Sequence, residues 1–127
     1  CQLAGRDDAA ALNWMDRQLP ADSRIAIASA DLSIDPISAP MQGTGTDAGI
    51  WIAPLTGHSV TALPYYTDFL SQEMHASLCS QQVTHIYIGA RPQSFKADFV
   101  KTVPTWYETI FQLPNAQIVK VLGCNIQ

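Results

Sequence analysis

Apolar and polar positions along this chain recur with two different periods. Between Asp7 and Leu19, Ala11, Leu12, Met15 and Leu19 return at spacings of three and four, the stripe of an amphipathic helix. Asp7 or Asp8 can cap its start and place negative charge there, and Pro20 stops it. After the turn Pro20-Ala21-Asp22-Ser23, the run Arg24-Ile25-Ala26-Ile27-Ala28-Ser29 has a strand's length. Residues 31–49 are irregular, with Asp35-Pro36 and Ala39-Pro40 as turn signals and three glycines between Gly43 and Gly49. Pro54 inside the apolar stretch 50–57 predicts a short helix over 48–55 or a buried turn rather than a central strand, since proline cannot donate to a ladder. His58–Leu63 reads as a second strand, ended by Pro64.

Thr67–Gln82 reads as the second long helix, capped by Thr67, with Phe69, Leu70, Met74, Ser77 and Leu78 on its apolar face. Val83–Gly89 is the clearest strand, rich in β-branched and aromatic residues and apolar on both sides, as a buried central parallel strand would be. Short helices are expected over 94–101 and 105–110. The alternation of Ala116–Leu122 suits a final edge strand. This succession predicts an α/β fold: one small three-layer sandwich with a mostly parallel sheet of about four strands.

Composition sharpens that picture only where it departs from the ordinary. The 127 residues suit one domain, and 47% apolar content is that of a folded chain. Charged residues are only 14%, against roughly 25% in an average domain, which suggests a surface resting against something else. Seven Lys and Arg against eleven Asp and Glu leave a net charge of −4, which excludes the basic footprint of a nucleic-acid binder. No apolar run approaches the roughly 18 residues of a membrane span. Cys1, Cys79 and Cys124 form no C-x-x-C pair, which argues against zinc and against a disulfide framework. Cys79 reads as a small core residue, with one disulfide plus one free thiol left open. A start at Cys rather than Met suggests a processed chain or a piece of a longer one.

Candidate chemistry is sparse. Gly43-x-Gly45-x-x-Ala48 meets a loose dinucleotide pattern, but no strand leads into it, so its glycines are expected to serve the loop backbone and no cofactor is implied. His58, His75 and His85 have no mutual spacing of a metal site and read as structural histidines. No serine or cysteine stands in a nucleophile motif, and the acids are scattered beyond Asp7-Asp8, so no catalytic residue is assigned.

Three blocks carry a resemblance. They are Asp8-x-x-Ala11-Leu12-x-Trp14-Met15-x-x-x-Leu19-Pro20-Ala21-Asp22-Ser23-Arg24-Ile25-Ala26, then Gly45-Thr46-Asp47-Ala48-Gly49-Ile50-Trp51-Ile52-Ala53-Pro54-Leu55-Thr56-Gly57-His58, then Val83-Thr84-His85-Ile86-Tyr87-Ile88-Gly89-Ala90. Together they resemble the C-terminal extracytoplasmic domain of bacterial polyprenol-dependent membrane glycosyltransferases, the protein-O-mannosyltransferase-like enzymes and, more distantly, the oligosaccharyltransferase catalytic subunit. The resemblance implies a multi-pass parent whose transmembrane portion holds the catalytic acids and is this domain's partner. It also implies a glycan or polypeptide acceptor nearby and a place on the extracytoplasmic side of the cell membrane. The oligosaccharyltransferase block has two tryptophans before its aspartate; here Gly45 and Thr46 stand there, and His58 replaces the usual arginine. The expected function is therefore an accessory, non-catalytic domain, inactive by itself. The alternative is a stand-alone small-molecule-binding α/β domain.

A contact surface is expected in the loop Gly43–Gly49, because binding crevices of open α/β sheets form beyond the carboxyl ends of the strands. Asp47 and Trp51 lead it, with Gly45, Gly49 and His58 beside them. The bland counterpart is that Asp47 caps the short helix and Trp51 fills the core.

Overall fold

In the computed structural model, which describes residues 6–29, 52, 56–89 and 94–124, the first helix and strand stand where the apolar spacing puts them. Helix α1 (Arg6–Gln18) buries Ala11, Leu12 and Met15, and strand β1 (Arg24–Ser29) is buried from Ile25 onward. Asp7 and Asp8 lie inside the first turn of α1 rather than ahead of it. They act as tethers: Asp7 Oδ2 accepts the Asn115 backbone N–H at 2.8 Å, and Asp8 accepts the Tyr87 hydroxyl.

Strand β2 (Ser59–Pro64) follows, then helix α2 (Gln72–Ser80) and strand β3 (His85–Gly89). Helix α2 is shorter than its apolar spacing suggests. Thr67 is not the cap, because its hydroxyl donates back to the Pro64 carbonyl at 2.6 Å. Asp68 accepts the Leu70 N–H, and Ser71 takes the cap position, its Oγ accepting the Met74 N–H. Leu70, expected on the buried face, is thereby left 47% exposed. The far end closes as a Schellman motif. Gln82 adopts a left-handed φ of 63°, its N–H reaches the Cys79 carbonyl, and the Val83 N–H reaches that of Leu78.

The carboxyl-terminal part differs most from expectation. A short helix α3 (Asp98–Thr102) occupies only the end of the stretch 94–101. The stretch expected as a helix over 105–110 belongs instead to strand β4 (Tyr107–Leu113), joined through Pro114-Asn115 to strand β5 (Ala116–Val121). The sheet therefore has five strands in the order β2-β1-β3-β5-β4. β1 pairs parallel with β2 and β3, whereas β5 pairs antiparallel with β3 and β4. The fold is α/β, but the sheet is mixed and five-stranded, not mostly parallel with about four. β5 is an interior strand rather than an edge, because β4 covers its outer side. β3 is central as expected, with one parallel and one antiparallel neighbour.

Strand alternation splits the core between the two faces. Ile25, Ile27, Tyr87 and Ile118 pack with α1 and Ile52 on one side. Ala26, Ala28, Ile86, Ile88, Val119 and Val121 pack on the other with Leu78 of α2, Phe99 of α3 and Phe69. Phe69, Phe95, Phe99 and Tyr107 form an aromatic knot there, with ring centroids of Phe69 4.6 Å from Phe99 and 4.9 Å from Phe95. The Tyr107 hydroxyl donates to the Phe69 carbonyl at 2.8 Å. Burial, then the Asp68 carboxylate, push its ionisation up to about 12, so it stays a donor.

Candidate functional site

Of the five residues the sequence singles out for binding, Gly45, Asp47, Gly49 and Trp51 lie outside the described residues. Ile52 and Thr56, at the end of the same block, are helical. Ile52 is fully buried and its carbonyl accepts the Thr56 hydroxyl at 2.6 Å. Gly57 then turns with φ 81°, a left-handed conformation that costs a glycine nothing.

His58 is buried at 5% exposure. Its Nε2 lies 3.0 Å from the Met15 carbonyl, which can only accept, so Nε2 carries the ring proton. The ring thus fastens the entry to β2 onto α1. Nδ1 has no hydrogen-bond partner among the described residues. Because β2 runs parallel to β1, His58 enters at the amino ends of these strands, opposite the end where the chain leaves Ser29 for the glycine-rich loop.

Close to it lies a second buried histidine. His85 opens β3, pairs across the sheet with Lys120 and is 5% exposed. Burial first, then the positive charge of Lys120 and the neighbouring His58, hold its pKa down from 6.5 to about 4. His85 Nδ1 is hydrogen-bonded to Thr84 Oγ1 at 2.8 Å, and that hydroxyl also lies 3.2 Å from the Arg24 carbonyl. A neutral, buried ring hydrogen-bonded to its neighbour is structural chemistry.

The arrangement that composition and spacing missed lies at the far end of α2. Cys79 and Cys124 form a disulfide, 45 residues apart in sequence, so Cys79 is not simply a core residue. One turn before Cys79 on α2, His75 places Nε2 3.8 Å from its sulfur and 2.6 Å from the Leu122 carbonyl, to which the ring N–H donates. Trp106 stacks on the imidazole, with centroids 4.4 Å apart and planes 7° from parallel. Gly123 turns beside the pair in a left-handed conformation. Its φ is 76°, and a Cβ there would stand 3.4 Å from both the His75 and Trp106 rings. His75, Cys79, Ser80, Trp106, Gly123 and Cys124 line an open groove of about 580 Å³. Among the described residues, His75, Cys79 and Cys124 are the one group of three potential metal donors, their donor atoms all within 4.8 Å of one another. The sequence did hold a signal: His75 and Cys79 are four apart on a helix, the spacing that stacks two side chains on one face.

A second groove, of about 470 Å³, opens beyond the carboxyl end of β2, where Tyr66 is 71% exposed beside Thr67, Asp68, Ser71 and Met74. Compared with known proteins, the chain matches no family model and no curated protein.

Proposed function

We propose that this chain is an accessory, non-catalytic domain on the extracytoplasmic side of a bacterial membrane glycosyltransferase-like protein that uses polyprenyl-linked sugars. The observation that carries the reading is the likeness over residues 8 to about 122, resting on three blocks, with Asp47, Gly49, Trp51 and Ile52 in the most telling one. Two features agree with it. The Cys79–Cys124 bond is of a kind that persists in oxidising compartments outside the cytoplasm. The low charge content suits a domain seated on a larger body. Its partner is then the transmembrane portion of its own parent, with an acceptor glycan or polypeptide reaching the loop around Asp47 and Trp51.

A second reading, a small-molecule-binding α/β domain, is favoured by the groove beside Tyr66, which lies where open α/β sheets gather ligands. The coding sequence upstream separates the two. A series of apolar helices before Cys1 supports the first reading, and a native start near Cys1 supports the second.

The activity test is direct. The purified 127-residue chain, given a polyprenyl-phosphate-linked sugar and acceptor peptides, is expected to transfer none. Turnover that disappears when one of its own carboxylates is neutralised would overturn the accessory role.

A further inference from the structure

We propose that reducing the Cys79–Cys124 disulfide uncovers a binding site for a single thiophilic divalent cation, zinc above all, held by the two cysteine thiolates and the His75 imidazole. The inference is independent of the domain's proposed place beside a membrane enzyme.

Geometry is the first support. Tetrahedral zinc holds thiolates at about 2.3 Å and imidazole nitrogen at about 2.0 Å, which sets the ligand atoms roughly 3.5–3.8 Å from one another. His75 Nε2 already stands 3.8 Å from Cys79 Sγ, and all three donor atoms fall within 4.8 Å. Opening the sulfur–sulfur bond to ligand spacing needs only small side-chain rotations. Cys79 and Cys124 are half-buried at the groove wall, so a metal reaches them and a fourth position faces the groove.

Preorganisation is the second support. The imidazole is held by stacking against Trp106. Nε2 now points at the Leu122 carbonyl, so a metal arriving there displaces that carbonyl as well as the ring proton, which moves to Nδ1 and leaves the ring neutral.

Electrostatics is the third. Cys79 lies in the last turn of α2, where the helix carbonyls disfavour anions and favour cations. A lone thiolate is poorly served there, and a dication binding two thiolates is well served.

The chemistry balances simply. A dithiol reductant supplies two electrons and two protons. A phosphine supplies the two electrons and leaves as its oxide, taking oxygen from water, which provides both protons. Either way the S–S bond breaks and two thiols form. The metal then binds as both thiols lose their protons to solvent. In an oxidising compartment the disulfide keeps the site closed, and contact with reductant opens it.

Cobalt(II), a spectroscopic stand-in for zinc, provides the probe. The chain is reduced with a phosphine, titrated with Co²⁺, and then competed with Zn²⁺, while far-ultraviolet circular dichroism follows its fold. One equivalent of Co²⁺ bound, with thiolate-to-cobalt charge-transfer absorption that Zn²⁺ abolishes, is expected of the reduced chain and not of the oxidised one. His75→Gln should weaken binding by roughly a hundredfold or more, and the double variant Cys79→Ser/Cys124→Ser should show no such absorption. A reduced chain that unfolds and is refolded by one equivalent of Zn²⁺ also supports the site. Absence of the absorption, binding by His75→Gln as tight as by the parent chain, or a reduced chain that unfolds and that Zn²⁺ does not restore would overturn it.

Discussion

The residue with the most pronounced individual consequence is His85. In an unfolded chain its ring takes up a proton near pH 6.5, while in the fold it resists until about pH 4. Above pH 7 the ring is neutral in both states and stability is unaffected. As pH falls from 6.5 towards 4, the unfolded chain binds the proton and the folded chain does not, so stability is lost across that window. Lys120 adds to the resistance from the adjoining strand and His58 from the entry to β2. The loss is on the order of 2 kcal/mol once solvent screening near Lys120 is allowed for. Replacing His85 with Gln removes the titration. Denaturant unfolding of the two proteins should give parallel stabilities above pH 7 and curves that diverge below 6.5, the parent losing more. Curves parallel down to pH 4 would show that His85 takes up its proton without penalty.

At the scale of elements, the disulfide matters because of what it joins: the last turn of α2 and the tail leaving β5, two elements on the same face of the sheet. Closing a loop of that length removes about 4 kcal/mol of unfolded-chain entropy in the simplest account. Cys79→Ala/Cys124→Ala should therefore lower the melting temperature by on the order of 10 °C, with far-ultraviolet dichroism of the folded state unchanged. A shift of under about 2 °C would mean that the tie constrains little.

Legibility of the sequence also divides by element. α1 is readable because one helical period runs through it, and β1 and β3 because each is an uninterrupted apolar run. β4 is not, and the reason is local. Tyr107 faces Val121 and Thr109 faces Val119, but the register then skips Ile110 and pairs Phe111 with Ile118. That bulge turns Phe111 to the opposite face, where its ring lies 5.2 Å from that of Trp14. An alternation broken midway no longer reads as a strand. Helix α2 is over-read for the opposite reason. Phe69 and Leu70 continue the helical spacing backwards, although Thr67, Asp68 and Ser71 spend their side chains on a turn. The His75 cluster escapes notice because its third member, Cys124, comes from the far end of the chain, a proximity that no spacing encodes.

For the whole molecule, the misread strand changed the sheet's character. With a helix at 105–110 the chain counts four strands and β5 is an edge; with β4 in place, an antiparallel hairpin is grafted onto a parallel unit along β3. The predicted layering of helices on both faces survives that change, because it depends on which residues alternate inward and not on strand direction.

The graft divides the time course of folding as well as the architecture. The β4–β5 ribbon closes through two residues, whereas β1 meets β2 only after the intervening residues 30–58 have been gathered in, and meets β3 across a still longer stretch. Short closures lose little chain entropy and form early; distant ones are late. The folding nucleus should therefore assemble around the ribbon and β3, with β2 condensing afterwards. Val119→Ala is expected to slow folding with a φ-value above about 0.5, and Val60→Ala to accelerate unfolding with a φ-value below about 0.3. The reverse ranking would place the nucleus in the parallel half, with the gathering of residues 30–58 coming before the two-residue turn.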